Sequence, residues 1–347
     1  MSKLFIDACF NRKIERTPVW MMRQAGRYLA DYRELKTKYD FLTLCKTPEL
    51  AAKVTLMPLK EVNPDGAILF SDILIVLPVI GIDVSFNPGP IISNPVKTAA
   101  DIENINVVNK TEKLVFVYEA IKNIKAELPE DVALIGFGGA PLTLAAYLTG
   151  GGKTGNFKEL RALIYSDPQR AHLLLDKLVD LQADFLTSQI EAGAEAVQIF
   201  DTWAGSMPRE VVKEFVIPKI AALIEKIRQN IASKGKEVPI IYFIKDGSHV
   251  LDLLNATGAD VISIDEKISI SYAAKFIRNN ISIQGNLDSS VLYCSKDIIT
   301  QKVDDILKSV PSGRGHIFNL GHGILPDTPV ENARFMISEV KRLSKRV

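Results

Sequence analysis

Cysteine and histidine are scarce, at 3 and 4 residues in a chain of 347. Cys9, Cys45 and Cys294 are odd in number, far apart and without a CxxC pair, which removes the basis for a disulfide framework or a cysteine-rich zinc site. Buried or idle thiols in a reducing compartment are the expectation. An excess of either charge is also lacking: 42 basic against 41 acidic residues leave a net charge of +1. No global field therefore draws the chain to nucleic acid or an anionic membrane, and any anion recognition must be local. Long apolar runs are missing too. The most apolar stretch, AILFSDILIVLPVIGIDVSF, is interrupted by Asp72, Pro78, Gly81 and Asp83, whereas a membrane span needs about 20 apolar residues. The N-terminal MSKLFIDACFNRKIERTP is broken by charges and lacks the apolar centre of a signal peptide, so a cytoplasmic protein is expected. No Ser/Gly/Pro-rich linker divides the chain, and residues 1–347 are expected to form one domain.

What the chain does have is a regular alternation. Short apolar, β-branched runs occur at PVWM (18–21), GAILF (66–70), VALIGF (132–137), EAVQIF (195–200), PIIYF (239–243), DVISI (260–264), ISIQ (281–284) and HIFNL (316–320). Helical patterns fill most of the intervals. SDPQRAHLLLDKLVDLQADFLTSQIEAG opens on a Ser-Asp-Pro cap signal and closes at Gly193. Pro218, inside another helical pattern, is expected to kink or split it. NPDGAILFSD, EAGAEAVQIFD and NATGADVISID echo one another as a Gly-Ala turn, a buried strand and an aspartate. Eight strands separated by helices predict a single (β/α)₈ TIM-type barrel, with a doubly wound open sheet as the alternative.

A barrel carries its active site at the C-terminal mouth, so residues just after the strands become candidates. These are Arg23, Gln24 and Arg27; Ser71 and Asp72; Gly138, Gly139 and Ala140; Asp201 and Thr202; Lys245 and Asp246; Asp265; Asn286; and Gly321 and His322. Arg23 and Arg27 are spaced so that one helical turn would aim both guanidinium forks at a carboxylate or phosphate, with Gly26 letting the backbone approach. A surface salt bridge to Asp31 or Glu34 is the plainer reading. Asp72 is an ionisable group in the most apolar part of the chain, which implies either use or a helix cap by Ser71 or Asp72. Gly152-Lys153-Thr154 looks like the end of a phosphate loop, but that motif needs glycine where Tyr147 stands. Gly138 and Gly139 would bring backbone to the pocket, and Tyr147 reads either as a phenolic donor or as a core tyrosine. His322, between Gly321 and Gly323, has the setting of a flexible, exposed imidazole. His172, His249 and His316 read as structural or solvated, and a metal pair of Asp246 and His249 lacks a third ligand.

Together PVWMMRQAGRYL, FSDIL, GFGGAPLTLAAY, FDTWAG, QGNLD and NLGHGILPDTP resemble the uroporphyrinogen decarboxylase family over nearly the whole chain. The resemblance implies a distorted (β/α)₈ barrel, a homodimer, and a reaction without metal or organic cofactor. It implies loss of CO₂ from the four acetates of a tetrapyrrole, uroporphyrinogen III, leaving the methyl groups of coproporphyrinogen III in haem biosynthesis. By the same resemblance Arg23, Gln24, Ala25, Gly26 and Arg27 bind substrate carboxylates, Asp72 faces the pyrrole nitrogens, and Tyr147, Thr202 and His322 complete the substrate site. Asp72 is expected to stabilise the transition state, while the proton donor stays open among Arg23, Tyr147 and His322. The family usually has an aromatic residue in place of Leu142, Pro-Glu in place of Ala30-Asp31, and proline in place of Ser289. None of these departures removes a polar site residue. Two rival readings are a corrinoid-linked methyltransferase of similar fold, which needs a His/Cys zinc site, and a non-catalytic tetrapyrrole carrier.

Overall fold

The buried β-branched runs become parallel strands because they are apolar on both faces, as strands covered by helices outside and a packed interior inside must be. In the computed structural model, which describes residues 3–87, 89–152, 157–232 and 234–345, the strands are β1 (Gly66–Ile68), β2 (Val84–Phe86), β3 (Pro90–Ile92), β4 (Ala133–Gly139), β5 (Ala196–Asp201), β6 (Ile240–Ile244), β7 (Val261–Ser263), β8 (Ser282–Leu287) and β9 (His316–Leu320). Seven form one curled parallel sheet in the order β1-β4-β5-β6-β7-β8-β9, and β2 and β3 form a separate antiparallel hairpin. The open-sheet alternative falls with the order: every neighbour follows in sequence, without a reversal of direction.

The expected first strand, PVWM, is not a regular strand. It makes one parallel bridge, Val19 to Phe318. On one side Phe318 N donates to Pro18 O at 2.8 Å and Trp20 N to Phe318 O at 3.2 Å; on the other, Asp65 N donates to Val19 O at 2.8 Å. Pro18 brings no N–H, and the chain turns away after Met21, so side chains finish the seam. The Asp65 carboxylate accepts from Val19 N at 2.8 Å. The Gln24 amide accepts from Met21 N at 3.0 Å and donates to Gly66 O at 2.8 Å. Residues 18–20 thus stand between β9 and β1 as the eighth stave. Inside, Trp20 Nε1 donates to Gln284 Oε1 at 2.9 Å, and Gln284 Nε2 reaches Gln198 Oε1 at 3.0 Å and Ser263 Oγ at 2.9 Å. This polar layer ties four staves across the interior.

The helices follow their signals. Pro168–Ala192 is capped by Asp167, whose side chain accepts from Arg170 N, and ends at Gly193 with φ +127°. Ahead of Pro218 the chain makes a π-turn, Val212–Val216, before the helix Ile217–Ala232. The expected disturbance is a widened turn, the form in which a helix absorbs a missing N–H. Gly136 and Gly138 face this outer layer: an added Cβ would collide with Gln189 and Gln182 of helix Pro168–Ala192.

Asp65 also takes a two-pronged hydrogen bond from Arg16, at 2.7 and 2.8 Å, so one largely buried carboxylate serves both an ion pair and the seam. Asp65→Ala is expected to lower the unfolding free energy by about 3 kcal/mol, because it leaves a guanidinium and a backbone N–H without their partner. Urea unfolding measures this; a loss well below about 1 kcal/mol would mean that the seam does not depend on Asp65.

Candidate active site

Strand alternation decides what the mouth sees. Phe200 pairs with Phe243, and Gln198 with Phe137, so these residues share the inward face. Phe137 and Phe200 stack edge to face at 5.6 Å, and Phe200 and Phe243 at 5.9 Å, with Phe200 partly exposed. They form an apolar floor. These phenylalanines are absent from the sequence-derived site, although ALIGF, AVQIF and IIYF each end on one immediately before the polar mouth.

Above the floor, Arg23, Asp72, Tyr147 and His322 come together. Asp72 lies in the turn after β1, and its Oδ1 accepts from Leu74 N at 2.8 Å. No helix begins here, since residues 73–76 are turn and the next helical turn starts at Leu77, so Asp72 closes a turn instead of capping a helix; no second donor among the described residues reaches the carboxylate. Burial pushes Asp72 up to about 6, with the Leu74 N–H and then Arg23 pulling back. Tyr147 is half-buried; burial raises its hydroxyl and Asp72 adds to the rise, while Trp203 and Arg23 oppose it. His322 is depressed to about 4, by burial first and then by Arg23 and Lys245. It is a neutral imidazole at pH 7 in the free site.

Arg23 and Arg27 do not share a helix. Residues 22–29 are turns, and the helix begins at Ala30, running to Lys38. Arg23 itself has φ +62°, an uncommon conformation for a bulky residue. Its setting enforces this. Met22 N donates to Asn319 Oδ1 at 3.0 Å, and Ile324 N to Met22 O at 2.9 Å. A Cβ on Gly26 would lie 2.8 Å from Arg23 O, and one on Gly323 would overlap the Arg23 stem. A Cβ on Gly321 would overlap Glu266. The glycines around His322 thus serve close packing, not flexibility. Burial, then Arg27, lowers the Arg23 pKa, while Tyr147 and Asp72 raise it. Among the described residues neither guanidinium has a hydrogen-bond or ion-pair partner; Glu34 pairs with Lys38, leaving the surface salt-bridge reading without support.

Other mouth candidates are committed elsewhere. The Gln24 side chain is wholly buried in the seam, so only its backbone is left for a ligand, while Ala25 and Gly26 are partly exposed beside it. Asp201 follows inward-facing Phe200 and so turns to the outer layer. There it accepts from Thr143 Oγ1 at 2.6 Å and Tyr242 OH at 2.9 Å, and burial raises it to about 6. It fixes the loop that leaves Thr202 partly exposed at the lip. Asp265 accepts from Asp246 N at 2.5 Å, and Asn286 donates to Asp265 O at 2.7 Å. Gly138 serves helix packing, and a Cβ on Gly139 would meet Leu144 at 2.9 Å. His249 contacts Met207 O, His172 stacks on Phe215 at 4.3 Å, and His316 contacts Gly285 O. Among the described residues no three His, Cys, Asp or Glu side chains are grouped to hold a metal. Lys153 and Thr154 of the failed phosphate-loop match lie outside the described residues.

The fold and mouth define the class, a TIM-type barrel with a mixed-charge site over an aromatic floor. The family model described as Uroporphyrinogen decarboxylase (URO-D) matches residues 1–343. Relatives named uroporphyrinogen decarboxylase from Geobacter sulfurreducens and Syntrophotalea carbinolica are 42% and 43% identical, covering 100% and 98% of both chains respectively. The chain belongs to the uroporphyrinogen decarboxylase family. Among solved structures, a methyltransferase from Methanosarcina mazei superposes with a TM-score of 0.83 at 19% identity, covering 99% of both chains. A B12-independent methionine synthase from Shewanella sp. W3-18-1 reaches 0.57 at 9% identity, covering 85% of this chain and 88% of its own. At those identities the likeness is one of fold.

An aspartate held near 6 in the fold, against an ordinary 3.8, binds its proton more tightly folded than unfolded, so ionising it opposes folding. The penalty is absent below about pH 4, grows between about 4 and 6, and is complete above, reaching at most about 3 kcal/mol. Asp72→Asn, which keeps an acceptor for Leu74 N, is expected to stabilise the protein at pH 8 and not at pH 3.5. Denaturant unfolding at both values checks this; equal stability at pH 8 would contradict the burial penalty.

Proposed function

We propose that this chain removes CO₂ from the four acetate side chains of uroporphyrinogen III, giving coproporphyrinogen III in porphyrin biosynthesis, with residues 1–347 acting as one barrel domain. The observation that carries the reading is a pair of arginines, unpartnered among the described residues, beside a recessed carboxylate over a phenylalanine floor. A flexible macrocycle with acidic arms at its rim and N–H groups at its centre matches that layout. The rim meets Arg23 and Arg27, and the apolar ring faces meet the floor. The free oxygen of Asp72 accepts from the pyrrole N–H groups.

Cleaving the bond to CO₂ leaves an electron pair that needs a sink. A proton added to a pyrrole α-carbon makes the ring cationic, and the pair from the broken bond flows into it. A proton then goes to the exocyclic methylene to make the methyl group, and the α-carbon proton leaves to restore the pyrrole. Each decarboxylation consumes one proton overall. Asp72 stabilises the cation through charge and preorganised hydrogen bonding, which is worth most where water is excluded. The arriving cation favours the ionised carboxylate, so binding lowers the Asp72 pKa from its value in the free site. His322 enters neutral, and bound carboxylates raise it again. Arg23, Tyr147 and a recharged His322 are the groups able to deliver the protons, with Thr202 lining the lip. A cytoplasmic homodimer working without metal, organic cofactor, nucleic-acid or membrane partner completes the proposal. No helix among the described residues is long and apolar enough to cross a membrane.

Incubation with uroporphyrinogen and separation of the products by carboxylate number tests this reading, since a carrier returns all eight carboxylates. Asp72→Asn is expected to lose about 10²- to 10³-fold in kcat. Arg27→Ala, which removes one exposed charge-assisted contact, is expected to raise KM about tenfold with little change in kcat. Near-normal turnover in the first variant, or unchanged KM in the second, would remove that residue from its role.

A further inference from the structure

Arg23 and Arg27 arm only one wall of the mouth. They follow the stave at residues 18–20, which lies between β9 and β1. Going round the ring, β1, β4 and β5 separate that stave from β6 on one side, and β9, β8 and β7 on the other. The turn after β6 is therefore directly opposite, and its first residue is Lys245. Ile241 and Phe243 share the inward face with Gln198 and Phe200, so Lys245, two residues further on, continues that face.

The turn is built rigidly. Lys245 N donates to Asp201 O at 3.1 Å. Asp246 has φ +60°, and its N–H is held by Asp265. Gly205 packs so closely against this backbone that a Cβ would lie 2.5 Å from the Asp246 carbonyl carbon. Both walls thus present a cation at a left-handed non-glycine turn, Arg23 within its own and Lys245 immediately before its own. Such conformations gather at functional sites.

The ion pairs also leave Lys245 the less tightly held of two ammonium groups. Asp246 is shared by Lys267, in the closer contact, and by Lys245 at 3.6 Å. Lys267 has Asp265 and Glu266 beside it as well, whereas among the described residues Lys245 makes just the longer contact. Lys267 is the more exposed of the two, with 57% of its side chain accessible against 28% for Lys245. Lys245 lies inward, where it and Arg23 both act on His322.

We propose that Lys245 binds a peripheral carboxylate of the substrate across the mouth from Arg23 and Arg27, so that the macrocycle is held from both sides. This rests on the function proposed above for the identity of the ligand, but requires only that the ligand be a polycarboxylate. Lys245 then contributes to selecting molecules with acidic arms all round the ring over those charged on one side.

The test compares Lys245→Gln and Lys245→Arg with the wild-type chain in three measurements. Uroporphyrin, the stable oxidised octacarboxylate, is titrated by fluorescence; Lys245→Gln is expected to weaken binding about tenfold, and Lys245→Arg to stay within about twofold. With uroporphyrinogen as substrate, kcat/KM in Lys245→Gln should fall through KM. Histidine NMR should show His322 titrating higher in Lys245→Gln than in Lys245→Arg, which a remote structural effect would not produce. Uroporphyrin binding unchanged in Lys245→Gln, or weakened equally in both variants, overturns the proposal. A wild-type chain that neither binds uroporphyrin nor turns over uroporphyrinogen overturns both this proposal and the function; one that turns over uroporphyrinogen with the same KM in Lys245→Gln overturns this proposal alone. If the wild type binds but does not decarboxylate, while Lys245→Gln still weakens binding, the catalytic reading fails and the role of Lys245 stands.

Discussion

The carboxylate of Asp65 holds the barrel shut where a β-ladder does not. Seven strands curl, but the sheet becomes a ring only because residues 18–20 pair with β9 and β1, and on the β1 side the pairing rests on Asp65 and Gln24. A side-chain seam has a consequence that a full strand would not. Freed of ladder geometry after Met21, the chain can turn at once and place Arg23 in the left-handed region, inside the mouth instead of along its wall. The closure and the site are one local solution.

The site itself works against stability. Asp72, raised to about 6 by burial, is ionised at neutral pH against the preference of its surroundings, and His322, depressed to about 4, gives up the proton that it would hold in the unfolded chain below about pH 6.5. Among the described residues two arginines stand without partners, and Arg23 has the uncommon φ of +62° as well. Such features persist where surrounding packing over-determines them, here through Asn319, Gly26 and Gly323 around Arg23. In the proposed function a polyanion whose centre turns cationic during reaction would answer the charge terms together: its carboxylates would meet the arginines and restore the charge of His322, and its ring would meet Asp72.

Much of this was legible in the sequence, and the exceptions have physical causes. Buried parallel strands are continuous apolar runs, so seven of them could be read directly. PVWM reads as an eighth because local pattern reports burial; that it bridges through one residue depends on Asp65 and Phe318, far away in the chain. Asp201 differs from its expected place at the mouth for a simpler reason. Period-two counting from Phe200 turns it outward, so the information was present, as it was for the strand-end phenylalanines. The glycines of NLGHG are different: the side chains they avoid, Glu266 and Arg23, are distant in sequence. Arg23 and Arg27 stand out in the sequence by a helical spacing that the fold does not use, since residues 22–29 are turns; among the described residues both cations are nevertheless unpartnered.

The central claim is that the pyrrole ring takes up the electron pair and that the new methyl group receives its proton from exchangeable groups in the site. Turnover of uroporphyrinogen in D₂O, followed by mass and NMR analysis of the product, tests it most directly. The account predicts loss of four CO₂ and one solvent deuterium on each new methyl group. Recovery of intact acetates, or methyl groups without solvent deuterium, would contradict it.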